Sequence, residues 1–252
     1  MLESSFPGRD GVNLGYREVG DGRPLVLLHG LAGNGTLWTR HGRADALAAR
    51  GHRVILPDFR GHGASAKPHD PAAYPPDVLA DDGLALIDHL GLSDYDLGGY
   101  SLGARIAFRM LVRGATPGRA IVAGQGLREL LGTGGGAGAR LRRAVEGTGE
   151  PDGFARWLAT SGEDPVALLH ALDSVVATPR EDVTRVRTPT LVVLGADDER
   201  AASGDELAVV LPDAVRVTVP GDHGTAVDAP ELLDAILSFV SARPGTTPAG
   251  TR

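Results

Sequence analysis

Ser101, in the stretch Gly99-Tyr100-Ser101-Leu102-Gly103, can act as a nucleophile if the fold supplies a base for its hydroxyl proton and an acid to orient that base. A strand-like apolar run, Tyr95 to Gly98, leads into it and a helix-like run, Leu102 to Arg113, leaves it, as a nucleophile elbow requires. In such an elbow the serine takes a strained backbone conformation that lifts its hydroxyl off the sheet. Residues without bulky side chains, here Gly99 and Gly103, let strand and helix approach.

Histidine is the natural base, because its ordinary pKa of about 6.5 lets it take and return a proton near neutral pH. Of eight histidines, His223 follows the last strand-like run and precedes the closing helix, so its loop opens on the same edge as the elbow. His29 and His62 lie in glycine-bearing loops at that edge, where a hydrogen bond that shapes the loop is the plainer role; the other five read as packing or surface residues. For the acid, Asp197, Asp198 and Asp222 all qualify, and neighbours in a turn point in different directions, so one of them meets His223. Acyl chemistry also needs N–H donors where charge develops on the carbonyl oxygen, and the backbone of Leu102, at the start of the helix, is one. Trp38, Tyr100 and Phe59 could equally form the walls of a substrate pocket or part of the core, and His29 beside them is a further pocket candidate. No pair of histidines has helical ligand spacing, so no metal is expected.

These residues must be carried by alternating elements. Val12 to Val19 reads as a half-buried strand, with Glu3 to Phe6 pairing across a turn at Pro7 to Gly11. Leu25 to Leu28, Arg53 to Leu56, Ala120 to Ala123, Thr190 to Leu194 and Val215 to Val219 are short apolar runs, of the sort buried on both faces of a parallel sheet. Leu37 to Arg50, Asp77 to Leu90, Asp205 to Leu211 and Pro230 to Val240 have helical spacing. Residues 125–187 carry no strand signal and contain helical patches at 140–146, 153–159 and 165–176. They read as a helical insertion that would lie over the ligand-binding edge of the sheet as a lid, with the glycine-rich run 132–138 as a hinge. Residues 243–252, rich in Pro, Gly and Thr, read as a frayed tail.

At 252 residues, with 42% apolar and 23% charged side chains, the chain suits one domain spanning 1–252. A net charge of −7 argues against nucleic acid as a partner. The absence of cysteine excludes a thiolate nucleophile and cysteine-ligated metals. No run of eighteen apolar residues suggests a membrane span, and nothing at Met1 to Asp10 resembles a secretion signal, so a cytoplasmic location is expected.

Taken in order, His29-Gly30 after one strand, Asp58-Phe59-Arg60-Gly61-His62-Gly63 after the next, the Ser101 elbow, Gly195-Ala196-Asp197-Asp198 and Gly221-Asp222-His223 resemble the α/β-hydrolase family over about Val12 to Val240. The resemblance implies a mostly parallel sheet flanked by helices and a Ser101, Asp198, His223 triad, the acid standing three residues after the glycine that ends its strand. It also implies a second oxyanion donor at the backbone of Leu31. The activity it implies is a serine hydrolase acting on a small ester or lactone without a cofactor. Thioesterase, acyltransferase, C–C hydrolase and cofactor-free perhydrolase chemistry would use the same residues, and a ligand-binding protein on a hydrolase scaffold is the rival from another class. Serine at the nucleophile position argues against epoxide hydrolase and haloalkane dehalogenase chemistry, which uses aspartate there. Oligomeric state is not legible.

Overall fold

A computed structural model describes residues 2–133, 137–148 and 153–241. Eight strands form one sheet in the order β1-β2-β4-β3-β5-β6-β7-β8: β1 Leu2–Pro7, β2 Asn13–Val19, β3 Arg23–Leu28, β4 His52–Pro57, β5 Asp96–Tyr100, β6 Ala120–Ala123, β7 Thr190–Gly195 and β8 Ala214–Val219. The β1–β2 hairpin is antiparallel and joins the sheet through an antiparallel β2–β4 pair, while β4-β3-β5-β6-β7-β8 are parallel. After β3 the chain moves outward to β4, and after β5 it moves the opposite way to β6. The crevice between the carboxyl ends of β3 and β5 is therefore the switch point where open α/β sheets bind ligands. Leu28 pairs with Gly99 in register there, so the loops carrying His29-Gly30 and Ser101 flank the crevice.

The apolar strands owe their composition to burial on both faces. In β3, Val26 and Leu28 enter the cluster beneath α2 (Val78–His89) and α3 (Leu102–Val112), and Leu25 and Leu27 enter the cluster that α1 (Arg43–Ala48) and α10 (Pro230–Ser241) cover. Fully burying each such leucine is worth about 1.5–3 kcal/mol, relative to leaving it in water.

Two sequence expectations need correcting. The helical pattern over 37–50 is broken into 3₁₀ turns at Gly35–Trp38 and Arg40–Gly42 followed by α1. His41 and Gly42 take left-handed conformations at φ 54° and 70°, and Arg43 bonds to the carbonyls of Leu37 and Val227 and to Asp228, which fixes the break. The insertion is also shorter than 125–187. Its ends form α4 (Leu127–Leu130) and α8 (Arg180–Val183), whose Leu127, Leu130 and Val183 pack into the sheet core with Val192, Leu194 and Leu207. Leu207 belongs to α9 (Ala201–Val210), a helix that begins four residues earlier than its apolar spacing suggests. Among the described residues α5 (Ala137–Glu146), α6 (Gly153–Ser161) and α7 (Pro165–Asp173) build a separate cluster, in which Leu141, Leu158 and Leu168 meet Ala32 of the loop after β3. Of the expected hinge at 132–138, residues 134–136 lie outside the described residues, as does the tail at 243–252.

Candidate active site

Ser101 sits between β5 and α3 with φ 55° and ψ −119°. It is held there by its own N–H, which donates to Ala123 O at 2.8 Å. The glycines around it are required by space. A methyl at Gly103 would lie 2.3 Å from Leu28 O, one at Gly99 2.3 Å from the Gly103 carbonyl carbon, and one at Gly98 2.6 Å from Ile121 Cβ.

Opposite the serine, His223 presents Nε2 at 2.9 Å from Ser101 Oγ and Nδ1 at 3.0 Å from Asp198 Oδ2. The other carboxylate oxygen of Asp198 accepts from the Arg200 backbone N–H at 3.0 Å and its guanidinium at 3.1 Å. Burial pushes the Asp198 carboxyl up, but the hydrogen bonds from His223 and Arg200 outweigh it and hold the carboxyl below the ordinary value. Of the three acids the sequence offers, only Asp198 reaches His223. Asp197 is exposed and bonds through its backbone to Gly221 O. Asp222 spends its carboxylate on the N–H groups of Gly224 and Thr225 and the Thr225 hydroxyl, and so shapes the histidine loop.

The N–H of Leu102 is the first in α3, and that of Leu31 lies in the loop after β3; among the described residues neither donates to a protein acceptor. The loop crosses close to the nucleophile, for a methyl on Gly30 would lie 3.4 Å from Ser101 Cβ.

Three of the four expected pocket residues, His29, Trp38 and Tyr100, spend their polar atoms on backbone groups. His29 is fully buried; its Nδ1 donates to Gly30 O at 2.8 Å and its Nε2 accepts from Phe59 N–H at 3.0 Å. Burial pushes its pKa down to about 4. Trp38 is buried against the sheet and donates its indole N–H to Leu28 O at 3.1 Å. Tyr100 is buried, donates its hydroxyl to His223 O at 2.7 Å, and lays its ring 5.5 Å from the imidazole. Burial pushes that phenol well up from its ordinary value.

His62 is also buried, with its pKa pushed down to about 3 by burial, and packs 5.1 Å from His29. Asp58 ties the two loops together by accepting from Arg17, Gly35 N–H and Ala64 N–H. Sequence reasoning missed the roles of Arg200 and of the Tyr100 hydroxyl. It missed Gly124 too, whose lack of a side chain leaves room for the imidazole; a methyl there would lie 3.2 Å from His223 Cε1, and its φ of 68° suits glycine besides. An arginine two residues beyond an acid carries no signal of its own. Among the described residues no group of three or more His, Asp or Glu side chains is placed to hold a metal ion, and no helix is long and apolar enough to cross a membrane.

The family model described as alpha/beta hydrolase fold matches residues 23–123. A non-heme chloroperoxidase, CPO-A1 of Kitasatospora aureofaciens, is 38% identical over 108 residues, covering 43% of this chain and 38% of its own. The chain spans 38% or less of the length of the first curated relatives it matches, among them an epoxide hydrolase. Solved structures match over nearly the whole chain. A hydrolase from Pseudomonas aeruginosa PA01 superposes with a TM-score of 0.78 at 26% identity, covering 95% of this chain and 98% of its own. The esterase RhEst1 from Rhodococcus sp. ECU1013 does so with 0.77 at 25%, covering 96% and 99%.

Proposed function

Because this chain belongs to the α/β-hydrolase fold family, we propose that it is a serine hydrolase that cleaves a small carboxylic ester or lactone through an acyl-enzyme. The observation that carries this reading is the continuous relay from Ser101 Oγ through both ring nitrogens of His223 to Asp198.

In the acylation step Ser101 Oγ attacks the carbonyl carbon while its proton passes to His223 Nε2. The imidazolium so formed is stabilised by the Asp198 carboxylate on Nδ1. The carbonyl oxygen takes the electron pair of the C=O bond and is met by the N–H groups of Leu31 and Leu102; losing one such donor costs about 3 kcal/mol in the transition state. Collapse re-forms the C=O bond and expels the leaving oxygen, which takes the proton from His223 Nε2. Water then repeats the sequence: His223 accepts its proton, the hydroxide oxygen bonds to the acyl carbon, and Ser101 Oγ leaves with the proton. Helices α5 to α7 serve as the lid over this crevice.

The chloroperoxidase relative favours a second reading on the same residues, in which hydrogen peroxide replaces water in the second half and the product is a peracid. The serine at position 101 speaks against epoxide opening, which needs a carboxylate nucleophile there.

The test is incubation of wild type and Ser101→Ala with a reactive organophosphonate, read by intact mass, beside turnover of short and medium p-nitrophenyl esters. Labelling and turnover that both vanish in the variant are expected. A folded wild type that neither labels nor turns over would refute the reading in favour of a ligand-binding scaffold. Ester turnover with and without peroxide, followed by peracid detection, separates the two hydrolytic readings.

A further inference from the structure

The loop that carries Leu31 contains one residue whose backbone does not suit its type. Ala32 has φ 56°, in the left-handed region, and is buried. For a residue with a Cβ that conformation is disfavoured by about fivefold to thirtyfold in population, so the surroundings must hold it.

What holds it is the helical insertion. The Ala32 methyl is packed in the cluster formed by Leu141, Leu158 and Leu168, one leucine from each of α5, α6 and α7. The neighbouring Leu31 side chain packs both against this cluster and against the core beneath α2 and α3. Below the loop the constraints come from the sheet side: Gly30 O accepts from Gly33 N–H at 3.1 Å and from His29 Nδ1 at 2.8 Å. The loop is therefore gripped from beneath at Gly30 and from above at Ala32. With both ends fixed, a relaxation of φ at Ala32 has to be taken up by the adjoining torsions, those of Leu31 among them.

We propose that Ala32 is a positioning residue through which the seating of α5 to α7 sets the Leu31 N–H over Ser101, so that these helices complete the oxyanion site as well as cover it. This rests on the reading of Leu31 as an oxyanion donor. The coupling works through strain. An alanine at this position needs the leucine cluster to stay left-handed, whereas a glycine adopts the same conformation without support.

The experiment compares Leu168→Ala in two backgrounds, the native Ala32 and Ala32→Gly, with Leu158→Ala as the second cap variant should Leu168→Ala fail to fold. Two readouts are taken: hydrogen exchange at 30–34, where the Gly33 amide reports on its bond to Gly30 O, and kcat against KM for a p-nitrophenyl ester. In the native background the cap variant is expected to speed exchange at 30–34 and to lower kcat by about fivefold or more, the lower bound of the strain given above, with a smaller change in KM. In the Ala32→Gly background the same cap variant is expected to lower kcat by less than about twofold, since no strain remains to be released. An equal loss in both backgrounds, or unchanged exchange at 30–34, would overturn the proposal. The exchange readout needs no turnover. A wild type inert on every ester would therefore sink the hydrolase reading, while exchange still decides the coupling.

Discussion

Replacing Asp198 by Asn tests the relay in a way the structure makes specific. The carboxylate divides its work: Oδ2 accepts from His223 Nδ1, and Oδ1 accepts from two donors of Arg200, at 3.0 and 3.1 Å. An asparagine side chain has one acceptor oxygen and one NH₂ donor. Its oxygen will turn to Arg200, because both groups there can only donate. That leaves the NH₂ facing His223 Nδ1, which must then be the unprotonated nitrogen. The ring proton moves to Nε2, and Nε2 can no longer take the Ser101 proton. The expected loss in kcat approaches the 10⁴ of the serine protease template, about 5.4 kcal/mol at about 1.4 kcal/mol per factor of ten. The assay is steady-state hydrolysis of a p-nitrophenyl ester. A single Asp198→Asn variant within tenfold of wild type would refute the reasoning.

Asp197→Asn should leave kcat within about twofold, because Asp197 is exposed and its carboxylate has no partner in the relay; ester kinetics check this. Tyr100→Phe removes the bond to His223 O and should cost about 1 kcal/mol in stability, with a few-fold loss in kcat as the histidine loop loosens, read by urea denaturation and ester kinetics. Gly103→Ala places a methyl 2.3 Å from Leu28 O and should destabilise the fold by several kcal/mol or prevent folding, seen as loss of a cooperative urea transition. His29 is held neutral in the fold, with its pKa near 4 against an ordinary 6.5. The unfolded chain therefore binds more protons between those values, and stability falls as pH drops from 6.5 to 4, by about 3 kcal/mol for this residue. Urea denaturation between pH 7 and 4.5 reads that slope, and a His29→Gln variant that folds should show a shallower one.

The local elements were legible because they depend on neighbours in the chain. The apolar runs at 25–28, 120–123 and 190–194 are strands buried on both faces, and Gly99 and Gly103 mark a turn that tolerates no side chain. The order of Ser101, the paired aspartates and His223 then placed the candidate groups at one edge of the sheet, because parallel strands send every following loop to the same side. Residue type and spacing alone left Asp197, Asp198 and Asp222 open, and only the family resemblance pointed to Asp198, since the choice depends on the direction of a side chain across a turn and on which carboxylate is already engaged nearby. Nor could it tell a pocket wall from a buried strut. His29, Trp38 and Tyr100 have the residue types of either, and only packing across segments distant in sequence decided that each spends its polar atom on a backbone group. The limits of the insertion were hidden for the same reason: Leu127 and Val183 look like lid residues along the chain, yet they meet Val192 and Leu207 in the sheet core, a contact that exists only once the strands have assembled.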